Sequence, residues 1–543
     1  MGRLALCLVL SLCLPLASSM AQPRPVEEVL MVLLREPTVA RMALEKGEVD
    51  LLSDVVEPAN VEALRRASGV RLHASRGFHM FYLCFNARRS PWDREEVRQA
   101  VALSIPRDRL VAELFQGLAL PMESFVVDIS PFFEPDFPRH PFDPEGARRR
   151  LREGGFRVEG GRLVSPDGRV LGPFKVLCPT AEVAPTSAAM AQGIARAVSS
   201  ALGLSVEAEM MDFPSLVERV QRRDFDMFVM AWSLSKNPDY LHSFFHSESD
   251  VEGGYNLPGL RDPKLDEVLK GLLYARDREE ARLRASQAQR ILAELLPYVP
   301  LYTRYLISAH SDRLDGLVDA RGAGVDNFWS YLGMRVKRGE GRLRVALREE
   351  PRNLNPLVAS SAYEWQVLGL IYESLLASHP ATLEEVPWLA ESFDVQVRRE
   401  GDAEKHELLF LVREGVRWHD GRPLTAEDVA FTLRYLAEKR PPRYLDAVKD
   451  LEEVSVEGRL VRVRMKGISY WYLSRIGGLP VLPAHVWSSV EDYRSFAPWR
   501  GEGGEHALVG SGPFRFVEYR EGRYVRLRRF DGHWFKGDPS SPR

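Results

Sequence analysis

The sequence predicts an α/β protein in which helices cover the faces of its sheets. From residue 25 onwards, short apolar runs typical of strands alternate with segments whose apolar residues recur at helical spacing. With 45% hydrophobic and 27% charged residues, the composition is ordinary for a globular protein. The length of 543 residues allows about two to four domains.

The first predicted element is an export signal. Residues 1–21 combine an early Arg3, an apolar run and small residues before Ala21, which is the pattern of a secretory signal peptide. The apolar run is short for a membrane span and contains Pro15. Neither Cys7 nor Cys13 follows the small residue that a lipoprotein cleavage site requires. The sequence therefore predicts a released protein, periplasmic or secreted, without a lipid anchor.

Strands and helices are predicted in turn between residues 25 and 334. One helix is expected to begin at Asp143, an N-cap residue followed by Pro144, and to end at Gly154. Another is expected to run from Thr38 to Gly47. Further strands are predicted at "VEEVLMVLL", "GFHMFYLCFN", "FKVLCPT" and "SVEAEMM", and further helices at "AAMAQGIARAVSSALG", "KLDEVLKGLLYA" and "REEARLRASQAQRILAELLP".

Strands begin again at residue 341, after a short charged segment at 335–341 that has no apolar period and predicts a linker. Further on, "HELLFLVREG" predicts a strand and "HDGRP" a turn. The helix after that turn is expected to begin at Thr425, with Asp428 completing a capping box three residues later.

Charge and motifs exclude several classes of function. The formal net charge is −3, with 73 basic and 76 acidic residues, so nucleic-acid binding has no support. The sequence has no HExxH, GxSxG or P-loop motif, which argues against an enzyme. His242 and His246 are four residues apart and are interpreted as structural, so we expect no metal site and no cofactor.

Two cysteines remain after signal cleavage. Cys84 and Cys178 both lie in apolar, strand-like runs. One disulfide is possible in an oxidising compartment, and two buried thiols are the alternative.

Longer stretches resemble family 5 of the extracellular solute-binding proteins, the oligopeptide- and dipeptide-binding components of ABC importers. Residues 341–543 resemble the N-terminal half of that family, and residues 25–334 resemble its C-terminal half. The matching pieces of the first half are "GRLRVALREEPRNLNPLVASSAYEWQVLGLIYESLL", "PWLAESFDV", "VREGVRWHDGRPLTAEDVAFTLRYL", "VLPAHVW" and "VGSGPFRFVEYREGRYVRLRRFDGHWFKG". Those of the second are "ARMALEKGEVDLL", "FYLCFNARRSPWDREEVRQAVALSIPRDRLV", "FDPEGARRRLREGGF", "RRDFDMFVMAW", "NLPGLRDPKLDEVLKGLL" and "AQRILAELLPYVPLY".

The two halves stand in reverse order, because the part that resembles the second half of the family comes first. This order predicts a circular permutation, in which the charged linker joins the original chain ends. A rearranged remnant without function and two neighbouring genes fused in reverse are the alternatives. Permutation is physically reasonable because chain termini often lie close together at the surface.

The resemblance implies a two-lobed fold of the type II periplasmic-binding-protein class, with a hinge and a ligand cleft between the lobes. Residues 79–310 are expected to form lobe II. Residues 22–78 and 311–543 are expected to form lobe I. The chain is expected to cross between the lobes near "GFHMFYLCFN" and "VPLYTRYLISAH". The implied function is capture of a small solute, foremost a short peptide, and its delivery to the permease subunits of an ABC transporter by a monomer.

The resemblance also implies ligand contacts. A strand edge at Ala231, Trp232 and Ser233 is expected to face the ligand. For Trp232, the alternative to ligand contact is a position in the core. For Asn86, the alternative is a turn residue at the end of a strand. The remaining candidate contacts are Ser235, Asn86, Ser360, Ser361, Tyr363, Phe328, Trp329, Gly510 and Ser511.

One position departs from the family. Peptide binders often carry an Asp three residues after the cleft Trp, where it pairs with the α-amino group of the peptide. This chain has Ser235 there, with Asp239 nearby as a possible substitute. Non-peptide ligands, such as an oligosaccharide or a nickel complex, therefore stay open, as does a role as a periplasmic sensor or chaperone-like protein.

Overall fold

The computed structural model describes residues 23–182, 184–501 and 506–542. The predicted signal peptide, residues 1–21, lies outside the described residues. Within the described part of the chain, no helix is both long enough and apolar enough to cross a membrane.

The chain forms strands of two to fourteen residues. They are β1 (Arg24–Pro25), β2 (Glu28–Leu33), β3 (Leu51–Leu52), β4 (Val70–Arg76), β5 (His79–Phe85), β6 (Ala119–Pro121), β7 (Arg157–Glu159), β8 (Arg162–Val164), β9 (Val170–Leu171), β10 (Phe174–Pro179), β11 (Val206–Met211), β12 (Met227–Ser233), β13 (Tyr298–Ser311), β14 (Leu314–Asp315), β15 (Arg335–Val336), β16 (Arg342–Leu347), β17 (Leu376–Ser378), β18 (Glu385–Pro387), β19 (Ala390–Glu400), β20 (Ala403–Val412), β21 (Leu451–Glu457), β22 (Leu460–Met465), β23 (Phe514–Arg520) and β24 (Tyr524–Arg529).

Helices alternate with these strands, as the sequence predicts. The α-helices are α1 (Pro37–Glu45), α2 (Pro58–Arg66), α3 (Glu95–Leu103), α4 (Arg107–Phe115), α5 (Pro144–Glu153), α6 (Pro185–Leu202), α7 (Phe213–Gln221), α8 (Tyr240–Phe245), α9 (Pro263–Leu273), α10 (Arg278–Leu295), α11 (Phe328–Gly333), α12 (Ala362–Leu368), α13 (Ala426–Lys439), α14 (Leu445–Val448), α15 (Tyr472–Gly477) and α16 (Ala484–Trp487). Ser247–Ser249 and Pro442–Tyr444 form short 3₁₀ helices.

Local helix signals in the sequence are confirmed where the chemistry is specific. The Asp143 side chain accepts a hydrogen bond from the backbone N–H of Gly146, and Pro144 is the first residue of α5. Thr425 and Asp428 form the predicted capping box at the start of α13. Gly47 follows α1 with φ of 70°, a left-handed conformation that favours glycine. These contacts are local, so a single short stretch of sequence determines each of them.

The central sheet has twelve strands, and β13 is its longest. The first residues of β13 pair with β5, from Tyr298 to Tyr302. From Tyr305 onwards the same strand pairs with β4 instead. The change of partner lies within "VPLYTRYLISAH", where the sequence predicts that the chain crosses between lobes.

The first long strand, β2, lies between two strands from far along the chain. It pairs in parallel with β16, where Glu28 is opposite Arg342, and antiparallel with β24, where Glu28 is opposite Arg528. Strands from near the two ends of the described chain therefore lie side by side in one sheet, next to its edge strand β23. The first two residues of the predicted linker form strand β15. This strand pairs with β1 in a separate three-stranded sheet.

The buried apolar residues form four clusters. The first and fourth lie around β2, β3, β16 and helices α1, α2, α12 and α13, and we call this part lobe I. The second and third lie around β5, β10, β12 and helices α3 to α10, and we call this part lobe II. Cys84 and Cys178 are both free, buried thiols in lobe II. The structure thus has two buried thiols and no disulfide between these two residues.

Candidate functional site

A pocket of about 220 Å³ lies between the two lobes. Its lining comes from three segments that are distant in sequence and carry mostly polar residues. They are Ser235, Lys236, Asn237 and Asp239 after β12; Leu376, Ala377 and Ser378 of β17 with Glu385 of β18; and Ser474, Arg475 and Gly478 at α15.

Ion pairs join the lobes directly at this pocket. Asp239 of lobe II accepts two hydrogen bonds from Arg475 of lobe I, at 3.0 Å from Nε and 2.5 Å from Nη2. Lys236 lies 2.8 Å from Glu385 and donates to Ser378 Oγ at 2.9 Å. Burial by itself lowers the pKa of Arg475, but the Asp239 carboxylate more than offsets this, so the pKa is raised. Asp239 is therefore already paired through Oδ2, and Arg475 balances its charge before any ligand binds.

A short segment of lobe I is inserted into lobe II beside this pocket. Trp471, which directly precedes α15, is completely buried in the third apolar cluster. Its Nε1–H donates to the carbonyl oxygen of Leu272 at 2.7 Å. Ser469 Oγ donates to Leu273 O, also at 2.7 Å. The segment 469–471 thus anchors lobe I to the end of α9.

The strand that leads into the pocket has an open edge. Strand β12 pairs with β10 only at Met227 and Phe228, whereas its pairing with β5 continues to Ser233. Beyond Phe228, no described strand lies on the other side of β12. The side chains of Ala231 and Ser233 are exposed. An extended ligand can add to such an edge through main-chain hydrogen bonds.

Trp232 lies between these two exposed residues but on the opposite face of the strand. Its ring is half-buried and stacks on Phe244 with centroids 4.6 Å apart, and Tyr255 lies edge-on at 6.0 Å. Its indole Nε1 is buried without a hydrogen-bond partner. Ser235, two residues after the strand, lines the pocket.

The lobe I candidates Ser360, Ser361 and Tyr363 lie at the start of α12. The Ser361 side chain accepts from the backbone N–H of Glu364, and the Glu364 carboxylate accepts from the backbone N–H of both Ser360 and Ser361. Tyr363 lies in the first turn and is half-buried. Burial, followed by the charges of acidic neighbours such as Asp54, raises the pKa of Tyr363 to about 12.

The other candidates are engaged within the protein and do not line the pocket. The Asn86 amide donates to two carbonyl oxygens, of Arg223 and Phe225, at 3.0 Å each. The Trp329 indole donates to Ser378 O at 3.1 Å, and the adjacent Phe328 lies against Trp388. Ser511 is buried and donates to Glu373 at 2.8 Å, and a Cβ on Gly510 would lie 1.9 Å from Ile371 O. Ligand contact by these residues stays a prediction.

A histidine holds the loop that contains Gly510 and Ser511. His419 Nε2–H donates to Gly512 O at 2.9 Å, while its Nδ1 accepts from the Gly510 N–H at 3.3 Å. Both ring nitrogens are occupied only when the imidazole is neutral. Burial, opposed in part by the bond to Gly512, lowers the pKa of His419 to about 4.

We expect His419 to make folding sensitive to mild acid. The unfolded histidine titrates near its usual pKa of about 6.5, whereas the folded one stays neutral down to about 4. Stability is therefore complete above the unfolded pKa and declines as the pH falls towards 4, because the unfolded state binds the proton first. Urea unfolding at about pH 7 and about pH 5 should show a shallower loss for His419→Gln than for the wild type. Equal losses would contradict the assignment.

His242 and His246 lie on one side of α8 and its end, with Glu248 close by. Their potential ligand atoms all lie within 4.8 Å of one another. The two rings stack with centroids 4.4 Å apart, and His246 Nδ1 already accepts from the backbone N–H of Glu248 at 3.1 Å. Burial, followed by the nearby positive charges, lowers the pKa of His242 to about 4.

Sequence reasoning missed most of the pocket lining. Lys236, Arg475 and Glu385 form its cross-lobe ion pairs, yet none was singled out. The polar run from Ser235 to Asp239 directly after an apolar strand is a signal that favours a site on its lobe II side. Nothing in the sequence pairs that run with Arg475.

Comparison with known proteins gives one family. The model for "Bacterial extracellular solute-binding proteins, family 5 Middle" matches residues 21–251 and 384–543, which together make up most of the chain.

Individual relatives match over shorter stretches. "Probable di/tripeptide-binding protein 5" of Pseudomonas aeruginosa is 22% identical over 277 residues, 51% of this chain and 50% of the relative. "Peptidoglycan-binding protein YepA" of Agrobacterium fabrum is 30% identical over 222 residues, 38% of this chain and 33% of the relative. Among solved structures, NikZ from Campylobacter jejuni with Ni(L-His) is 19% identical, covers 56% of this chain and 60% of that one, and has a TM-score of 0.48. The chain spans about half the length of the first curated relative.

Proposed function

Since the chain belongs to family 5 of the bacterial extracellular solute-binding proteins, we propose that it captures a small solute, foremost a short peptide, between its two lobes. It then delivers that solute to the permease subunits of an ABC transporter. We also propose that residues 1–21 direct export to the periplasm or the medium, that the protein acts as a monomer, and that it is not an enzyme.

The open edge of β12 is the observation that carries this proposal. An extended peptide needs backbone donors and acceptors along its length and space for its side chains. Residues Ala231 to Ser233 offer a strand edge with exposed side chains, and this edge leads to Ser235 in the inter-lobe pocket. We propose these residues, with Trp232 behind them, as the lobe II side of the ligand site, and Tyr363 as a contact from lobe I.

We propose that residues 79–310 form lobe II, and that residues 22–78 and 311–543, with the linker at 335–341, form lobe I. The change of partners along β13 supports a hinge near Thr303 and Arg304. The ion pairs at Asp239 and Lys236 join the proposed lobes in this structure. Opening must break both pairs, and ligand contacts made only in the closed state would favour closure.

We propose that the order of the halves arose by circular permutation. If the two halves of this chain stand in the reverse order to those of its relatives, a sequence alignment, which must keep the order of residues, can match only one half at a time. Curated relatives that match about half of this chain and half of themselves are consistent with that expectation. The position of β2 between β16 and β24 also supports it, because the two described chain ends lie in one sheet.

A second candidate ligand lacks a free ammonium group. Asp239 is paired with Arg475, and Ser235 carries no charge. A buried ammonium without a carboxylate partner costs several kcal/mol. This observation favours a neutral or anionic solute, such as an oligosaccharide or a metal complex, over a peptide with a free amino terminus.

Native mass spectrometry of residues 22–543, purified without refolding from a peptide-rich host, tests the proposal. We expect a monomer that carries additional mass, which is released on collisional activation. Fragmentation of the released mass then separates a peptide from another solute. A concentration-dependent dimer with exchanged halves would contradict the monomer.

Two tryptophan substitutions locate the bound mass. Ser235→Trp fills the inter-lobe pocket and should abolish the additional mass. Ser489→Trp places the same ring at an exposed site away from the pocket and should retain it. Additional mass on both variants would overturn the assignment of this pocket.

A further inference from the structure

A cavity of about 790 Å³ lies in lobe II and shares no lining residue with the inter-lobe pocket. Its wall comes mainly from the chain between Ile105 and Phe142, and it is completed by Arg76 of β4 and Thr303 of β13. The volume is within the range of about 300–1,000 Å³ that is typical of small-molecule sites. The cavity is therefore large enough to enclose a ligand of its own.

Positive charge is in slight excess along this cavity, where four arginines face three carboxylates: Arg76, Arg107, Arg109 and Arg139 against Asp108, Glu123 and Asp128. Arg107 is 8% exposed and lies 2.7 Å from Glu123. The same carboxylate lies 2.7 Å from Arg139, so two guanidinium groups share one negative charge. At the rim, Arg76 pairs with Asp128, and Arg109 has only a long contact of 3.7 Å with Glu113. A single anionic group would complete the pairing of Arg107 and Arg139.

Buried polar atoms in the cavity wall have no partner. The Nε of Arg107, the Nε of Arg76 and Oγ1 of Thr303 are all buried without a hydrogen bond. A buried donor that lacks an acceptor costs about 1–3 kcal/mol in general. Since these atoms are closed to water in this structure, a ligand in the cavity reaches them only if the wall shifts.

The rest of the wall is apolar and aromatic. Met122, Val126 and Phe137 are buried, and Arg139 lies over the Phe137 ring at 4.8 Å. Phe142, at the mouth, is 51% exposed, although large apolar side chains usually avoid water. An apolar ligand body would cover this ring.

We propose that this cavity binds an amphipathic monoanion, in which an apolar body carries a single carboxylate. The carboxylate accepts hydrogen bonds from Arg107 and Arg139, and the body lies against Phe137 and Phe142. The bound molecule contacts lobe II beside the hinge strands and leaves the inter-lobe pocket free. This site is independent of the solute that the protein transports.

Isothermal titration calorimetry with decanoate and with naphthoate tests the proposal on residues 22–543. We expect one decanoate or one naphthoate per chain, and we expect decanol, which has the same alkyl chain without the charge, to bind at least about tenfold more weakly. If decanoate binds and naphthoate does not, the ligand body is an acyl chain, and the reverse result indicates an aromatic acid. Absence of binding by both acids, or equal affinity for decanoate and decanol, would overturn the proposal.

Exposed positions provide variants that should fold normally. Arg139→Gln removes one guanidinium, and Phe142→Glu places a like charge at the mouth; each should weaken decanoate binding by about tenfold or more. The matched controls Arg282→Gln and Leu283→Glu alter exposed residues of α10 outside the cavity and should bind as the wild type does. Ser235→Trp should also retain decanoate. Loss of decanoate in Ser235→Trp, or unchanged binding in Arg139→Gln and Phe142→Glu, would overturn the assignment.

Discussion

Replacing Trp471 by alanine is expected to lower the free energy of unfolding by about 3–5 kcal/mol. The indole is completely buried among side chains of lobe II, although its own segment belongs to lobe I. Its removal leaves a cavity in the third apolar cluster and frees the carbonyl oxygen of Leu272. Urea unfolding followed by far-UV circular dichroism measures the loss.

Trp471→Phe separates packing from hydrogen bonding. Phenylalanine keeps most of the ring but lacks the indole N–H, so we expect it to retain more than half of the stability that alanine loses. Small-angle scattering should also show a larger radius of gyration for Trp471→Ala, because the anchor between the lobes is gone. A loss below about 1 kcal/mol for the alanine variant would mean that the ring is not buried in solution.

The second large effect is expected at Arg344. The Asp50 side chain is completely buried and receives Arg344 Nε at 3.0 Å and Nη2 at 2.9 Å. Breaking a buried ion pair from one side typically costs about 3–5 kcal/mol. Arg313 still lies 3.3 Å from the carboxylate, and a quarter of the Arg344 side chain is exposed. We therefore expect about 3 kcal/mol for Arg344→Met, the lower end of that range, measured as a shift of the urea midpoint.

A double-mutant cycle tests the cause. Asp50→Asn removes the buried negative charge, so combining it with Arg344→Met should destabilise less than the sum of the two single changes. An additive result would show that the two side chains do not interact.

The sequence predicts much of the fold because many of its determinants are local. The capping box at Thr425, the N-cap at Asp143 and the glycine after α1 each depend on a few adjacent residues. The crossing of the chain between lobes at β13 follows from the family resemblance and stays a prediction, and β13 changes its pairing partner within that stretch.

The candidate site was less predictable because its decisive contacts are long-range. Asp239 was considered as a partner for a ligand ammonium, but Arg475, more than 200 residues later, already pairs with it. Ser511 is a predicted ligand contact, and its hydroxyl donates to the buried Glu373, 138 residues earlier in the chain. No local pattern reveals which distant side chain will satisfy a polar group.

The position of β2 between two late strands has a consequence for the order of folding. Glu28 contacts Arg342 across 314 residues, and Arg529 reaches Val26 across 503 residues. Contacts of such long sequence separation form slowly, because a large loop must close before they add any stability. During synthesis, β5, β10 and β12 are complete long before β24 exists. Lobe II is therefore expected to fold first. Both edges of β2 remain unpaired until β16 and β24 have been synthesised. In that interval the two unpaired edges of β2 are open to pairing with a neighbouring molecule, so this strand needs protection.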